Sequence, residues 1–249
     1  MTSIRIHQYL HDRFGGFVSR FPSFSYWLAN RLTTDQFNGL PLTLLVGLLI
    51  ANVMLLSEVA ENIVKAEPMV SVDHWFTQLL FKARTTRVSS FFYGITWFGS
   101  RYATIGLALL GSVALGWQRK WRNILILWLS VGGVSLFVQA GKRTFIRPRP
   151  ALAAYYPETG YSFPSGHSAT AMTLYGLLGY WFIRREQRTR NRVVTGVAAT
   201  SLILAVGFSR IYLGVHFLSD VLGGYLLGIC WLIVGITVTE WKFPVIVKK

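Results

Sequence analysis

Between residues 142 and 220, the ends of apolar stretches carry side chains able to act on an anionic ester: two histidines, an aspartate and three cations. His216 and Asp220 are four residues apart and share a face if helical. A carboxylate beside an imidazole can hold Nδ1–H and leave Nε2 free as nucleophile or base; a capping contact is the plainer reading of such a pair. Pro164-Ser165-Gly166-His167 opens another apolar run. Ser165 is a good N-cap, Gly166 lets the backbone approach a ligand, and free N–H groups at a helix start attract anions. Alone, this is also what an ordinary helix cap looks like. Lys142, Arg149 and Arg210 sit at or next to the ends of apolar runs. One such cation is readily explained by snorkelling to the membrane interface. Three beside two histidines point to a phosphate cage, in which guanidinium forks match phosphate oxygens and the ammonium adds a point charge.

These groups must be positioned by membrane helices. Apolar residues make up 52% of the 249, and charged residues only 14%. Soluble domains carry about 25% charged residues. Six stretches lack Asp, Glu, Lys and Arg: 36–57, 102–118, 123–141, 159–183, 193–209 and 221–239. Their lengths bracket the roughly 20 residues a spanning helix needs, and lipid-facing backbone must pair internally, which favours helices. The expected fold class is therefore all-α, a polytopic protein with six transmembrane helices. Residues 88–100 are also apolar, so the second helix is expected to begin upstream of Arg101. The first span stands as an uncleaved signal, since no compact apolar stretch ends at a small-residue cleavage site.

The net charge of +15 lies between the apolar runs rather than along one face. It reads as topological charge and attraction to anionic headgroups rather than as a nucleic-acid surface. The side holding the N-terminus has 15 Lys and Arg against 10 on the other, which predicts cytoplasmic termini and loops 142–166 and 210–220 facing outward. Leu10, Phe14, Phe17, Phe21, Phe24, Leu28 and Leu32 form a helical stripe, with Arg13, Arg20 and Arg31 off it. Residues 1–35 thus read as a cytoplasmic interfacial segment interrupted near Pro22, and 36–249 as the six-helix domain. Val72, Trp75, Phe76, Leu79 and Leu80 make a similar stripe on the outer side, expected to roof the site entrance. Packing of either stripe on the protein's own helices is the alternative. The single cysteine, Cys230, excludes an intramolecular disulfide.

Lys-x6-Arg-Pro (Lys142, Arg149, Pro150), Pro-Ser-Gly-His (164–167) and Ser-Arg-x5-His-x3-Asp (Ser209, Arg210, His216, Asp220) resemble the three signature motifs of the type 2 phosphatidic acid phosphatase (PAP2) superfamily, complete and in order. The resemblance implies that His216 attacks phosphorus, Asp220 orients it, and His167 protonates the leaving alkoxide and then helps activate water. It implies that Lys142, Arg149, Arg210, Ser165 and Gly166 bind the phosphate oxygens. The substrate class would be a membrane lipid phosphate or pyrophosphate, such as phosphatidic acid, phosphatidylglycerol phosphate, undecaprenyl pyrophosphate or lipid A. The setting would be a bacterial inner membrane, with the site at its outer surface.

Between 142 and 220 the only carboxylates are Glu158, Glu186 and Asp220. A two-metal hydrolase needs several clustered ligands, so no metal and no cofactor are expected. Three rivals remain. A phosphotransferase on the same scaffold would use the same residues. A Ser165-His216-Asp220 acyl-transfer triad lacks the G-x-S-x-G elbow and leaves the cations without a task. A non-catalytic lipid-binding protein leaves the second histidine without one.

Overall fold

The structure, a computed structural model, describes residues 2–34, 36–65, 68–150 and 153–241. Among these there are ten α-helices: α1 Ser3–Arg20, α2 Pro22–Leu32, α3 Leu40–Val64, α4 Pro68–Lys82, α5 Thr86–Thr96, α6 Arg101–Trp117, α7 Trp121–Phe145, α8 Gly166–Arg185, α9 Thr189–Tyr212 and α10 Leu218–Glu240. A 3₁₀ turn, Trp97–Gly99, follows α5, and the described residues include no strand. The chain divides into two compact units: Met1–Ala51 with the chain from Thr237 onward, and Asn52–Ile236. The second carries every candidate site residue named above.

In the first unit, α1 and α2 break where the sequence anticipates it. Pro22 opens α2 at its first turn, a position where its missing N–H leaves no bond unmade. Ile6, Val18, Ser25 and Ala29 are buried, whereas Phe14, Phe17, Phe21 and Phe24 are exposed. The aromatic stripe therefore faces outward rather than into this unit's own packing.

Helices α3, α7, α9 and α10 are each long and apolar enough to cross a bilayer. The stretch Thr86–Gly99 and α6 make a fifth candidate as a pair bent by 48°. Instead of one helix extended upstream of Arg101, the chain breaks at Ser100, which takes an extended conformation and caps α6 by accepting from the Ala103 N–H. The remaining expected span, 159–183, differs in two ways. Its first seven residues are not helical, and α8 itself is less apolar than the others. The reason lies in its neighbours. Ser168, Ala169, Ala171, Thr173, Leu174, Leu177, Gly179 and Trp181 are all buried, so much of α8 is solvated by protein and need not be oily.

Two apolar clusters hold this unit together. Ala108 and Leu115 of α6, Ile126, Leu127 and Val131 of α7, and Leu174, Leu177 and Trp181 of α8 form one. Val134 and Val138 of α7, Ala169 of α8 and Leu227 of α10 form the other. Close approach of α10 to the start of α8 requires Gly224, where a Cβ would meet the Ser165 carbonyl oxygen at 2.6 Å.

Helix α4 is arranged opposite to a soluble amphipathic helix. Its apolar Val72, Trp75 and Leu79 are exposed, while Asp73 and Thr77 are buried. Lipid accepts the apolar side chains, and the buried Asp73 carboxylate finds its partners inside, in Arg147 and Ser219.

Candidate active site

Helix α7 ends just past Lys142. Ile146 adopts a left-handed conformation (φ 48°), its N–H returns to the Lys142 carbonyl, and Pro148 and Pro150 cannot continue the helix. The released segment runs beside the approach to α8, with the Ser162 N–H donating to the Arg147 carbonyl at 2.9 Å. Ser165 caps α8, and its own N–H donates to the Asp220 carbonyl at 2.9 Å, tying the starts of α8 and α10 together. Between α9 and α10 the chain turns at Gly214 (φ 67°), where a Cβ would meet the Ala153 carbonyl oxygen at 2.0 Å. The turn brings His216 back over α9, its N–H donating to the Arg210 carbonyl at 3.2 Å.

His216 is buried, with Nδ1 3.4 Å from Asp220 Oδ2 and Nε2 3.1 Å from Arg149 Nη1. A guanidinium only donates, so Nε2 must be the accepting nitrogen and the ring proton belongs on Nδ1, towards the carboxylate. Asp220 is oriented in turn by the Phe217 N–H, which donates to Oδ2 at 2.8 Å. Burial, followed by the charges of Arg210, Arg149 and Lys142, holds the His216 pKa well below 6.5. The imidazole is therefore neutral at pH 7, as a nucleophile must be.

Arg149 is pinned by carbonyls as well, donating from Nη1 to Val215 at 2.8 Å and from Nε to Gly160 at 2.9 Å. Arg210 is fully buried, with Nη1 donating to Thr96 Oγ1 at 2.8 Å and to the Tyr156 hydroxyl, and Nη2 to Glu158 Oε2 at 2.5 Å. Burial would raise the Glu158 pKa, but the charge of Arg210 and the bond from it outweigh this, and the carboxyl lies below its usual range.

Lys142, Glu158, Gly166, His167 and His216 line one cavity of about 620 Å³. Its other end is apolar, formed by Ile105 of α6 and Trp128, Val131, Leu136 and Val138 of α7. At Gly166 a Cβ would meet only Val138, at 3.4 Å, which leaves the backbone open to the cavity. Arg149 reaches this group through its contact with His216. Two expected phosphate ligands are placed differently. Arg210 is covered by Glu158 and Tyr156, and the Ser165 hydroxyl is buried at the helix start, accepting from Ser168 Oγ at 3.0 Å. Its capping geometry outcompetes the open cavity. The expected roof also needs correction: α4 does not line this cavity. Val70, His74, Thr77, Gln78 and Phe81 border a neighbouring cavity of about 770 Å³, and Trp75 and Phe76 line neither.

Sequence reasoning missed the charged residues bonded behind Asp220. Arg147 Nη1 donates to Asp220 Oδ1 at 2.6 Å, and Nη2 to Asp73 Oδ2 at 2.6 Å. One signal was available: Asp73 is the only carboxylate in α4. Glu158 was visible as a carboxylate, but nothing in its spacing assigned it to Arg210.

Residues 123–244 match the PAP2 superfamily. The chain belongs to this family and is a phosphoric ester or pyrophosphate hydrolase of its membrane type. It is 30% identical over 160 residues to phosphatidylglycerophosphatase B of Bacillus subtilis (strain 168), covering 64% of this chain and 79% of that one. The crystal structure of a transmembrane PAP2 type phosphatidylglycerolphosphate phosphatase from Bacillus subtilis superposes with a TM-score of 0.72 at 26% identity, covering 77% of this chain and 96% of the other. Glucose-6-phosphatase 3 of Rattus norvegicus is 26% identical over 171 residues, covering 65% of this chain and 48% of the relative, so the chain spans about half that protein's length.

Proposed function

We propose that the chain is a membrane lipid phosphatase that works without a metal, through a phosphohistidine on His216. The observation carrying this reading is the orientation of that ring: Nδ1 towards Asp220, Nε2 towards Arg149, in a cavity shared with Lys142 and His167. In the first step the Nε2 lone pair attacks phosphorus and the phosphorus–oxygen bond to the leaving group breaks. His167 gives its proton to the departing oxygen, and Asp220 stabilises the positive ring. In the second step water attacks phosphorus, His167 takes its proton, the nitrogen–phosphorus bond breaks, and phosphate leaves.

Lys142, Arg149 and the backbone at Gly166 meet the phosphate oxygens, with Arg210 joining when Glu158 yields. That cationic set supports chemistry without a metal, as does the donor set: among the described residues no three His, Cys, Asp or Glu side chains converge as metal ligands. A lipid substrate fits the apolar end of the cavity, where Ile105 and Leu136 are exposed. Tails would remain in the bilayer while the headgroup reaches His216. In this reading α8 completes a six-span topology, the termini are cytoplasmic, and the site faces the exterior of a bacterial inner membrane.

The test is free phosphate released in detergent, with EDTA present, from phosphatidic acid, phosphatidylglycerol phosphate, undecaprenyl pyrophosphate and lipid A. Release by the wild type and none by His216→Ala is the expected result, and the ranking narrows the substrate. Loss of activity in EDTA that Mg²⁺ or Zn²⁺ restores would overturn the metal-free reading. Labelled phosphate passing to an acceptor lipid, with little set free, would make the protein a phosphotransferase.

A further inference from the structure

Beside the His216–Asp220 pair, bonded to Asp220, lies a buried charge cluster that the motif chemistry does not require. Arg147, Asp73, Ser219 and Asp220 are all buried. Arg147 Nη1 donates to Asp220 Oδ1 at 2.6 Å and to Ser219 Oγ at 2.7 Å, while Nη2 donates to Asp73 Oδ2 at 2.6 Å. Asp73 also accepts the Ser219 N–H on Oδ1 at 2.9 Å and the Ser219 hydroxyl on Oδ2. The guanidinium lies over the Phe217 ring, 4.5 Å from its centroid.

We propose that Asp73 and Arg147 are a positioning pair for the Asp220–His216 dyad; the proposal rests on the phosphohistidine reading above. Two physical arguments lead there. The first is geometric. Asp220 Oδ1 is taken by Arg147, with the Ser162 hydroxyl at 3.4 Å, and Oδ2 by the Phe217 N–H and His216 Nδ1. Arg147 therefore sets the rotation of the carboxylate and so which oxygen faces the imidazole. The second is electrostatic. A guanidinium devoted to Asp220 alone would neutralise it, and a neutralised carboxylate stabilises an imidazolium poorly. A second carboxylate divides the guanidinium's charge, and Asp220 keeps a net negative field at His216. It also pairs Nη2, which would otherwise be a buried donor without an acceptor. The pair acts while the ring carries phosphate and positive charge, not while substrate binds, so its removal should lower kcat and leave KM in place.

The experiment compares wild type, Asp73→Asn, Asp220→Asn, the double variant and His216→Ala, each as the full chain in detergent with dioctanoyl phosphatidic acid. For Asp73→Asn the expected result is a loss of about ten-fold in kcat with KM within about two-fold, the size of coupling seen between directly bonded neighbours. The double variant should be no slower than Asp220→Asn, because Asp73 acts only through Asp220. An unchanged kcat in Asp73→Asn, a loss confined to KM, or losses that multiply in the double variant would overturn the proposal. If Asp73→Asn does not fold, Arg147→Lys takes its place in the same cycle with the same two criteria. Activity retained by His216→Ala would defeat the phosphohistidine reading, and the positioning role with it. An inactive His216→Ala beside an unaffected Asp73→Asn would defeat the positioning role alone.

Discussion

Arg147 and Arg149 are two residues apart on one short stretch of chain and serve opposite sides of the same dyad. Arg149 reaches His216 Nε2, is held by carbonyls and lies 3.9 Å from the Glu158 carboxylate, so an arriving phosphate finds the guanidinium already aimed. Arg147 is committed through Nη1 and Nη2 to ion pairs with two buried carboxylates. The His216 side combines donors that can meet an anion with an Arg210 already paired to Glu158, and the Asp220 side is built from charges paired with one another. Preorganisation of the first depends on the permanence of the second.

The largest expected effect falls on the His216 side. His216→Ala should lower kcat by about 10⁴-fold or more, since losing a nucleophile removes the whole covalent route. Phosphate release measured against a membrane blank checks this, and a loss of only a few-fold would break the distinction between the two sides. The arginines sharpen it next. Arg149→Met should lower kcat/KM by about 10²-fold, with thermal unfolding little changed. Arg147→Met leaves Asp73 and Asp220 buried without their cation, a defect worth about 3–5 kcal/mol, and should lower the unfolding temperature as well as the activity. Equal stability of the two variants would erase the contrast.

A smaller effect concerns Glu158, which is paired with Arg210. Glu158→Gln should strengthen inhibition by inorganic phosphate several-fold, as about one rim-level charge contact is released to the product. The same variant has a second signature. The negative charge of Glu158 favours protonated His216, so its removal moves the acid limb of kcat/KM to lower pH. In the wild type that limb already lies below pH 6.5, because burial and the three cations disfavour the imidazolium. A limb that shifts upward in Glu158→Gln would contradict the assignment.

This contrast also explains what the sequence could convey. Lys142, Gly166, His167 and His216 come from three motif segments and share one cavity. Arg147 occupies a variable position inside Lys-x6-Arg, so the motif gives it no weight. Its partner Asp73 lies 74 positions away on α4. That helix drew attention only through its apolar stripe, expected to roof the site entrance, whereas the residue that reaches the site is the buried Asp73 on its other face. The same physics explains α8, whose polarity reflects burial among helices rather than failure to be a core element. Ser165 and Arg210 show a limit of another kind. Residue type said what they could bind, but local partners, the Ser168 hydroxyl and the Glu158 carboxylate, are what the fold supplies.

The central claim is that phosphate passes through His216. Rapid-quench labelling tests it directly: mix the enzyme with ³²P-labelled lipid phosphate, stop with alkali within the first turnover, digest, and map the label. The account expects an acid-labile, alkali-stable label on the peptide containing His216, lost in His216→Ala. Full turnover with no labelled protein, or label on Ser165, would contradict it.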